Sequence, residues 1–335
     1  MNEINNIKSI LNAKFSINDL GPLKYFLGIE IARSRKGILL YQRKYALDIL
    51  QETGMITSKS CSTPMEYGKR LISLESGTPL TNPSIYRRLM SKLLYLAHTI
   101  PDISFSVGHL SQFLSKPTDK HFEGANRILR YIKGSISVGV FFPTYCDFKI
   151  KGYTDSDWAG CPDSRKFVSA YCFYLGNSLI SWKSKKQHVV ARSSAEAEYR
   201  TMALGACETQ WLLYLLEDLQ IPHLQPIIVY CDNQSVIHIT VNLVFHERTK
   251  HIEVDYHSVR ENIQTGLLYL LSIPTDSQIA DLLTKVMSPH TFHHLFSKLG
   301  MLNIHIPACG GMLESKEEDP HAIQLHESNT KDKLE

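Results

Sequence analysis

The feature that most restricts the possible folds is a short, wholly apolar run, Ile227–Cys231, that ends directly at Asp232. Such a run is typical of a buried parallel strand. Before it, Phe167–Leu175 and Ser178–Lys183 predict two strands joined by a tight turn, and after it helical segments precede a further strand, Leu267–Ile273. Strands that come first in hairpins and then alternate with helices predict a mixed sheet covered by helices.

The chain before about residue 145 has a different pattern, with apolar residues at helical spacing and one predicted hairpin, Tyr25–Ala32 and Gly37–Gln42. After about residue 302 it becomes polar and charged, which is typical of disorder. We therefore predict three regions: a mostly helical part, 1–145, an α/β domain, 146–302, and a polar tail, 303–335, that we expect to be disordered. The helical predictions include Glu3–Phe15, Tyr45–Gly54, Ile85–His98, Asp102–Leu114, Lys120–Lys133, a long segment from Ser194 interrupted near Glu208, and Ser277–Val286.

Composition and charge exclude several classes of protein. Of the 335 residues, 43% are hydrophobic and 21% are charged, which excludes a wholly disordered, collagen-like or coiled-coil chain. No apolar run reaches the roughly 18 residues of a membrane-spanning helix. The seven cysteines are scattered and include no Cys-x-x-Cys pair, which disfavours a disulfide framework and a structural zinc site. A net charge of +3 excludes a polycationic tail protein but allows a local basic groove.

Four acidic residues lie at the ends of predicted elements, where their side chains can converge. Asp155 ends a strand, Asp232 ends the buried strand, Glu198 lies in the first turns of a long helix, and Asp281 begins a late helix. Sites in α/β proteins form at the carboxyl edge of the sheet. Carboxylates gathered there repel one another unless cations bind them, and such clusters suit Mg²⁺ or Mn²⁺. Two ions about 4 Å apart can support phosphodiester hydrolysis.

Spacing alone leaves alternatives open for these acids. A carboxylate near a strand end is more often a turn former or a helix cap than a metal ligand. Helical phase also fails to distinguish Glu196 from Glu198, because both flank the apolar stripe of their helix at similar angles.

Five segments between residues 152 and 295 occur in a specific order: GYTDSDWAG, SWKSKKQHVVARSSAEAEY, YCDNQSVIHI, FHERTKHIEVDYHSVRE and QIADLLTK. Together they resemble the ribonuclease H domain of copia-type retrotransposon Pol polyproteins. The resemblance implies a ribonuclease H-like α/β fold, a five-stranded mixed sheet flanked by helices. It implies that Asp155, Glu198, Asp232 and Asp281 are catalytic and bind two Mg²⁺ ions, for which Mn²⁺ can substitute. Glu198 is favoured over Glu196 because the family's catalytic glutamate directly precedes an aromatic residue.

The first region carries three further segments: DLGPLKYFLGIEI, YRRLMSKLLYLAHTIPDISFSVGHLSQFLSKPT and HFEGANRILRYIKGS. They resemble the part of copia-type reverse transcriptase that follows the polymerase active site. We therefore expect residues 1–145 to be a C-terminal remnant of reverse transcriptase, comprising the end of the palm and a mostly helical thumb and connection. The polymerase motif Tyr-x-Asp-Asp does not occur in the chain, so we expect no DNA polymerase activity.

The resemblance implies metal-dependent endonucleolytic hydrolysis of the RNA strand of RNA–DNA hybrids. The alternative is a catalytically inactive transposon remnant that at most binds duplex nucleic acid. The expected partner is an RNA–DNA hybrid, and an intact reverse transcriptase acting in trans is a second possible partner. We expect no interaction with a membrane. The sequence leaves open whether the protein works in the cytoplasm or the nucleus.

Two basic segments are candidates for contacts with the phosphates of a nucleic acid. The alternative for each residue is an ordinary solvent-exposed charge. The candidates are Lys183, Lys185, Lys186, His246, Arg248 and Lys250.

Overall fold

The computed structural model of the chain describes residues 2–18, 21–69, 72–222, 226–241 and 253–303. The α-helices in these ranges are α1 (Asn2–Phe15), α2 (Arg43–Glu52), α3 (Pro83–Leu96), α4 (Ser104–Leu110), α5 (Asp119–Gly134), α6 (Ser194–Asp218), α7 (Gln234–Val241), α8 (Glu253–Gln264) and α9 (Pro289–Ser297). The strands are β1 (Tyr25–Phe26), β2 (Ile29–Ser34), β3 (Gly37–Tyr41), β4 (Val138–Pro143), β5 (Ile150–Asp157), β6 (Val168–Leu175), β7 (Ser178–Lys186), β8 (Ile227–Cys231), β9 (Leu268–Ser272) and β10 (Met301–Asn303).

The first of two sheets is antiparallel, with the strand order β1-β2-β3-β4-β10. The predicted hairpin forms β2 and β3. Gly37 begins β3 with a φ of +153°, and a β-carbon there would lie 2.1 Å from the carbonyl oxygen of Phe142 in β4. Only glycine therefore allows this close pairing. Neither β4 nor β10 is predicted from the sequence, because each is completed by partners far away in the chain.

The second sheet is mixed, with the strand order β7-β6-β5-β8-β9. The strands β5, β6 and β7 pair antiparallel, whereas β8 pairs parallel with both β5 and β9. This confirms the predicted five-stranded mixed sheet, and the apolar run Ile227–Cys231 forms β8, the middle one of its three parallel strands. Tyr153 lies opposite Tyr230 in the register. Asp155 and Asp232, each two residues further on, therefore lie at the same edge of the sheet.

Helices from two parts of the chain cover the two faces of the mixed sheet. On one face, α6 contributes Leu212 and Leu216 to a buried cluster that includes Phe173 of β6. On the other face, one continuous core joins Cys172 of β6 to helices of the first 145 residues, including Leu93 of α3. The regions on either side of residue 145 therefore share a hydrophobic core.

Helix α6 runs without interruption for 25 residues, although the sequence predicts a break near Glu208. The carboxylate of Glu208 accepts hydrogen bonds from the hydroxyls of Tyr171, at 2.8 Å, and Ser181, at 2.6 Å. The helix can continue through this acid because both of its oxygens have donors on the sheet.

None of the helices in the described ranges has both the length and the hydropathy needed to cross a membrane. The predicted tail, 303–335, lies outside the described residues apart from Asn303.

Candidate active site

The four acids singled out in the sequence come from four separate elements and meet at the carboxyl edge of the mixed sheet. Asp155 lies near the end of β5, Glu198 on α6, Asp232 directly after β8, and Asp281 in a 3-10 segment, Ile279–Leu283. Carboxylate oxygens of Asp155, Asp232 and Asp281 lie within 4.8 Å of one another. Ligand atoms of Glu198, Asp232 and Cys231 do so as well. Asp232 thus belongs to both groups.

The structure distinguishes the two glutamates that helical phase could not separate. Glu196 lies in the first turn of α6, where its carboxylate accepts from the backbone N–H of Arg192, at 2.9 Å, and pairs with Arg200, at 3.0 Å. Glu198 instead faces the sheet edge, and its Oε1 accepts from the backbone N–H of Ser156 at 3.3 Å. Glu196 therefore stabilises the start of the helix, and Glu198 belongs to the acidic cluster.

Close packing of α6 on β5 determines how far Glu198 lies from the sheet. A β-carbon on Gly205 would lie 2.7 Å from Cγ2 of Thr154. The absence of a side chain at this helical position therefore lets the helix approach the strand beside Asp155.

Gln278 connects the segment that carries Asp281 to β5. Its Nε2 donates to the carbonyl oxygen of Thr154 at 3.0 Å, and its Oε1 accepts from the backbone N–H of Ala280 at 3.3 Å. This buried side chain begins a short 3-10 segment where the sequence predicts an α-helix over 277–286. That prediction was wrong because a tertiary contact, absent from local periodicity, starts the segment.

Asp155 is fully buried, and two residues that follow Asp281 bind it. The hydroxyl of Thr284 donates to its Oδ2, and Nζ of Lys285 lies 3.0 Å from its Oδ1. Lys285 also lies 2.9 Å from Oδ1 of Asp281. In the segment QIADLLTK, sequence patterns assigned a role only to Asp281. The available signal was spacing, because residues three and four positions on lie on the same side of a helical turn.

Burial and the repulsion of neighbouring carboxylates make ionisation of Glu198 and Asp281 unfavourable. Burial, followed by the charges of Asp155 and Asp232, raises the pKa of Glu198 well above its ordinary value. Burial and Asp155 raise the pKa of Asp281 to about 8, although Lys285 opposes the shift. Burial lowers the pKa of Lys285, but Asp155 and Asp281 outweigh it and raise that pKa. One ammonium group thus compensates only part of the negative charge.

The donor set fits a hard divalent cation. All four acids offer carboxylate oxygens, and Oε2 of Glu198 is buried with no hydrogen-bond partner among the described residues. A buried carboxylate oxygen without a donor is unfavourable unless a cation or a proton binds it. Because Mg²⁺ and Mn²⁺ prefer oxygen ligands, the residues present fit such ions.

The basic residues predicted to contact phosphates do not lie in the acidic cluster where the structure describes them. All three lysines lie on β7, at the edge of the sheet. Lys183 and Lys185 are exposed, whereas Nζ of Lys186 points inward and donates to Oε1 of Gln112 at 2.6 Å. The other three candidates, His246, Arg248 and Lys250, lie outside the described residues.

Comparison with known proteins finds relatives over most of the chain. A family model described as reverse transcriptase (RNA-dependent DNA polymerase) matches residues 1–67. The retrovirus-related Pol polyprotein from transposon RE1 of Arabidopsis thaliana is 44% identical over 301 residues, which cover 90% of this chain and 20% of the relative. An uncharacterized mitochondrial protein of Arabidopsis thaliana is 41% identical over 201 residues, which cover 60% of this chain and 83% of the relative.

The chain spans about a fifth of the length of the Pol polyproteins it matches. Among solved structures, ribonuclease H1 from Halobacterium salinarum aligns with 41% of this chain and 94% of its own, at 14% identity and a TM-score of 0.30.

Proposed function

The chain belongs to the family of retrovirus-related Pol polyproteins from copia-type transposons, and on that premise we propose that residues 146–302 are a ribonuclease H. The proposed reaction is metal-dependent endonucleolytic hydrolysis of the RNA strand of RNA–DNA hybrids. The observation that supports it best is the meeting of four carboxylates at one sheet edge, where Oε2 of Glu198 has no donor among the described residues.

The proposed catalytic and metal-binding residues are Asp155, Glu198, Asp232 and Asp281. They would hold two Mg²⁺ ions, with Mn²⁺ as a substitute, and Asp232, common to both groups of ligand atoms, is suited to be shared. When bound, such ions supply an activated water and a positive charge for the leaving oxygen.

Residues around the acids keep the cluster ready for binding. Thr284 orients one oxygen of Asp155, and Gln278 holds the segment of Asp281 against β5. Thr275 donates to Oδ2 of Asp232 at 3.2 Å. Such outer hydrogen bonds orient ligands and are typically worth about 10–100-fold in metal affinity or activity.

The proposed substrate contacts are electrostatic. Exposed Lys183 and Lys185 would bind phosphates of the hybrid, as would His246, Arg248 and Lys250. Selection of the RNA strand would depend on contacts with the 2′-hydroxyl, the group that DNA lacks.

The division into a reverse-transcriptase part, 1–145, and the nuclease domain is part of the proposal. We propose that the first part supports the nuclease sheet through the common core and has no polymerase activity of its own. Incorporation of deoxynucleotides on a primed template by the purified chain would contradict this.

The deciding experiment is cleavage of an end-labelled RNA–DNA hybrid by the full chain in Mg²⁺. We expect Mg²⁺-dependent internal cuts in the RNA strand and no cutting of duplex DNA. The Asp155→Asn and Asp232→Asn variants should no longer cut the RNA strand. Circular dichroism confirms that each variant is folded. A second reaction with added intact reverse transcriptase tests whether a partner in trans is required.

A folded wild-type chain that cuts nothing in either reaction would refute the nuclease proposal. Salt-dependent binding of the hybrid without turnover would then favour the inactive remnant.

A further inference from the structure

We infer that Cys231 forms, with Glu198 and Asp232, a site for thiophilic divalent cations such as Zn²⁺ and Cd²⁺. Ligand atoms of these three residues lie within 4.8 Å of one another. The site shares two carboxylates with the proposed Mg²⁺ site but differs from it by a sulfur. Binding of a thiophilic ion does not depend on the proposed function, whereas its expected consequence, inhibition of cleavage, rests on it.

Strand periodicity places the thiol beside Glu198. Ile227, Val229 and Cys231 alternate along β8, and all three are fully buried. Cys231 shares a hydrophobic cluster with Tyr199 and Met202 of α6. Its side chain therefore lies on the face of the sheet that α6 covers, the same side from which Glu198 reaches the edge.

The second observation concerns Glu198, whose side chain is more than nine-tenths buried. Its Oε1 accepts the backbone N–H of Ser156, whereas its buried Oε2 has no donor among the described residues. An oxygen in this position can be satisfied by a cation. The sulfur and the carboxylate of Asp232 are both near enough to complete the binding of such a cation.

The chemistry of the donors separates the two classes of metal. Mg²⁺ is a hard cation that takes oxygen ligands, so it leaves the thiol of Cys231 protonated and unbound. Zn²⁺ and Cd²⁺ accept thiolate together with carboxylate, and they bind as the thiol releases its proton to solvent. An ion held by Cys231 would occupy Glu198 and Asp232, and the Mg²⁺-dependent reaction would lose both ligands.

The binding test is a titration of the reduced full chain with Cd²⁺, followed by the ultraviolet thiolate-to-cadmium charge-transfer band. We expect a saturable component that disappears in Cys231→Ser and Cys231→Ala and weakens in Glu198→Gln. Cys172→Ser is the matched control, because Cys172 is equally buried but joins the core on the opposite face of the sheet. Cys207→Ser controls for an exposed thiol on α6.

The inhibition test measures hybrid cleavage in excess Mg²⁺ with added Zn²⁺. The Zn²⁺ concentration for half-inhibition should rise by roughly tenfold or more in Cys231→Ala, since even an outer partner of a metal is worth about that much affinity. A cadmium band unchanged in both Cys231 variants would overturn the inference. If Cys231→Ser does not fold, Cys231→Ala and Glu198→Gln still decide the outcome.

The two proposals can fail separately. A wild-type chain that cleaves no hybrid but shows a Cys231-dependent cadmium band would refute the proposed function and support this site. A wild-type chain that cleaves the hybrid but shows a cadmium band independent of Cys231 would support the proposed function and refute this site.

Discussion

The Nζ atom of Lys285 lies 3.0 Å from Oδ1 of Asp155, although 130 positions separate the two residues in the chain. The same ammonium group lies 2.9 Å from Oδ1 of Asp281. A positive charge is therefore held between two of the proposed metal ligands. It stabilises the acids when no cation is bound, and a bound cation would take over much of that compensation.

Replacing Lys285 with Met should destabilise the metal-free protein by about 2 kcal/mol, because buried Asp155 loses its cation and Asp281 loses a hydrogen-bond donor. This is less than the roughly 3–5 kcal/mol for breaking a fully buried pair, since 33% of the Lys285 side chain is exposed. Mg²⁺ should restore most of the loss. Urea unfolding with a chelator and with Mg²⁺ measures both effects.

Lys120→Met is the control for this prediction, because it removes an exposed pair with Glu123. The free energy of unfolding of this variant should stay close to that of the wild type in both conditions. A loss in Lys285→Met that Mg²⁺ leaves unchanged would refute the proposed compensation.

Glu198→Gln and Glu196→Gln, two residues apart on α6, should have different effects. The first should reduce hybrid cleavage at least about a hundredfold, because losing even an outer partner of a metal is typically worth about 10–100-fold. The second should lower the free energy of unfolding by about 1 kcal/mol through the helix start and leave the cleavage rate near wild type. Single-turnover cleavage and urea unfolding test the pair. A larger loss of cleavage rate in Glu196→Gln than in Glu198→Gln would show that Glu196, and not Glu198, is the metal-binding glutamate.

In the absence of metal, the free energy of unfolding of the wild type should fall relative to that of the Asp281→Asn variant as the pH rises from about 4 to about 8. Burial and Asp155 raise the pKa of Asp281 from 3.8 to about 8 on folding. Between these values the folded state holds a proton that the unfolded state has released, so stability falls as the pH rises. Urea midpoints of wild type and variant, measured in a chelator across this range, give the difference.

Comparison with Asp281→Asn removes the contributions of other groups, such as His109, whose pKa is lowered to about 4 by burial. Mg²⁺ should flatten the pH profile, since it binds the ionised carboxylate. A wild type that gains stability over the variant with rising pH would show that our sign is wrong.

Gly205→Ala should destabilise the protein, although alanine normally favours a helix by about 1 kcal/mol over glycine. The added β-carbon would lie 2.7 Å from Cγ2 of Thr154, and overpacking of this kind typically costs about 1–3 kcal/mol. Cleavage should fall as well, because α6 carries Glu198. Thermal unfolding and cleavage rates measure both effects.

Thr154→Ser removes Cγ2 and should recover part of the loss in the double variant. Gly108→Ala in α4 is the control, because a β-carbon there meets nothing within 4 Å. It should be neutral or stabilising, and an equal loss at both glycines would contradict the packing explanation.

Local patterns in the sequence predicted many of the strands and helices of this protein. The apolar run before Asp232 predicted the buried parallel strand β8, and strand-like segments elsewhere predicted β6, β7 and β9. Burial within one strand or helix has a short period, so the sequence records it directly. A strand that ends in an acid also indicates the edge of the sheet where that acid can lie. Spacing alone still left a turn former or a helix cap as an alternative, and it was the resemblance to ribonuclease H domains that singled out Asp155 and Asp232.

Tertiary structure decided what depends on distant parts of the chain. Strand register placed Asp155 and Asp232 at the same edge of the sheet, close packing at Gly205 brought Glu198 to them, and Gln278 shaped the segment of Asp281. Only then did Lys285 reach Asp155, and only then did Cys231 lie near Glu198. Strands β4 and β10 likewise exist only through their pairing. These contacts join residues that no local period relates, because their closeness follows from how whole elements pack.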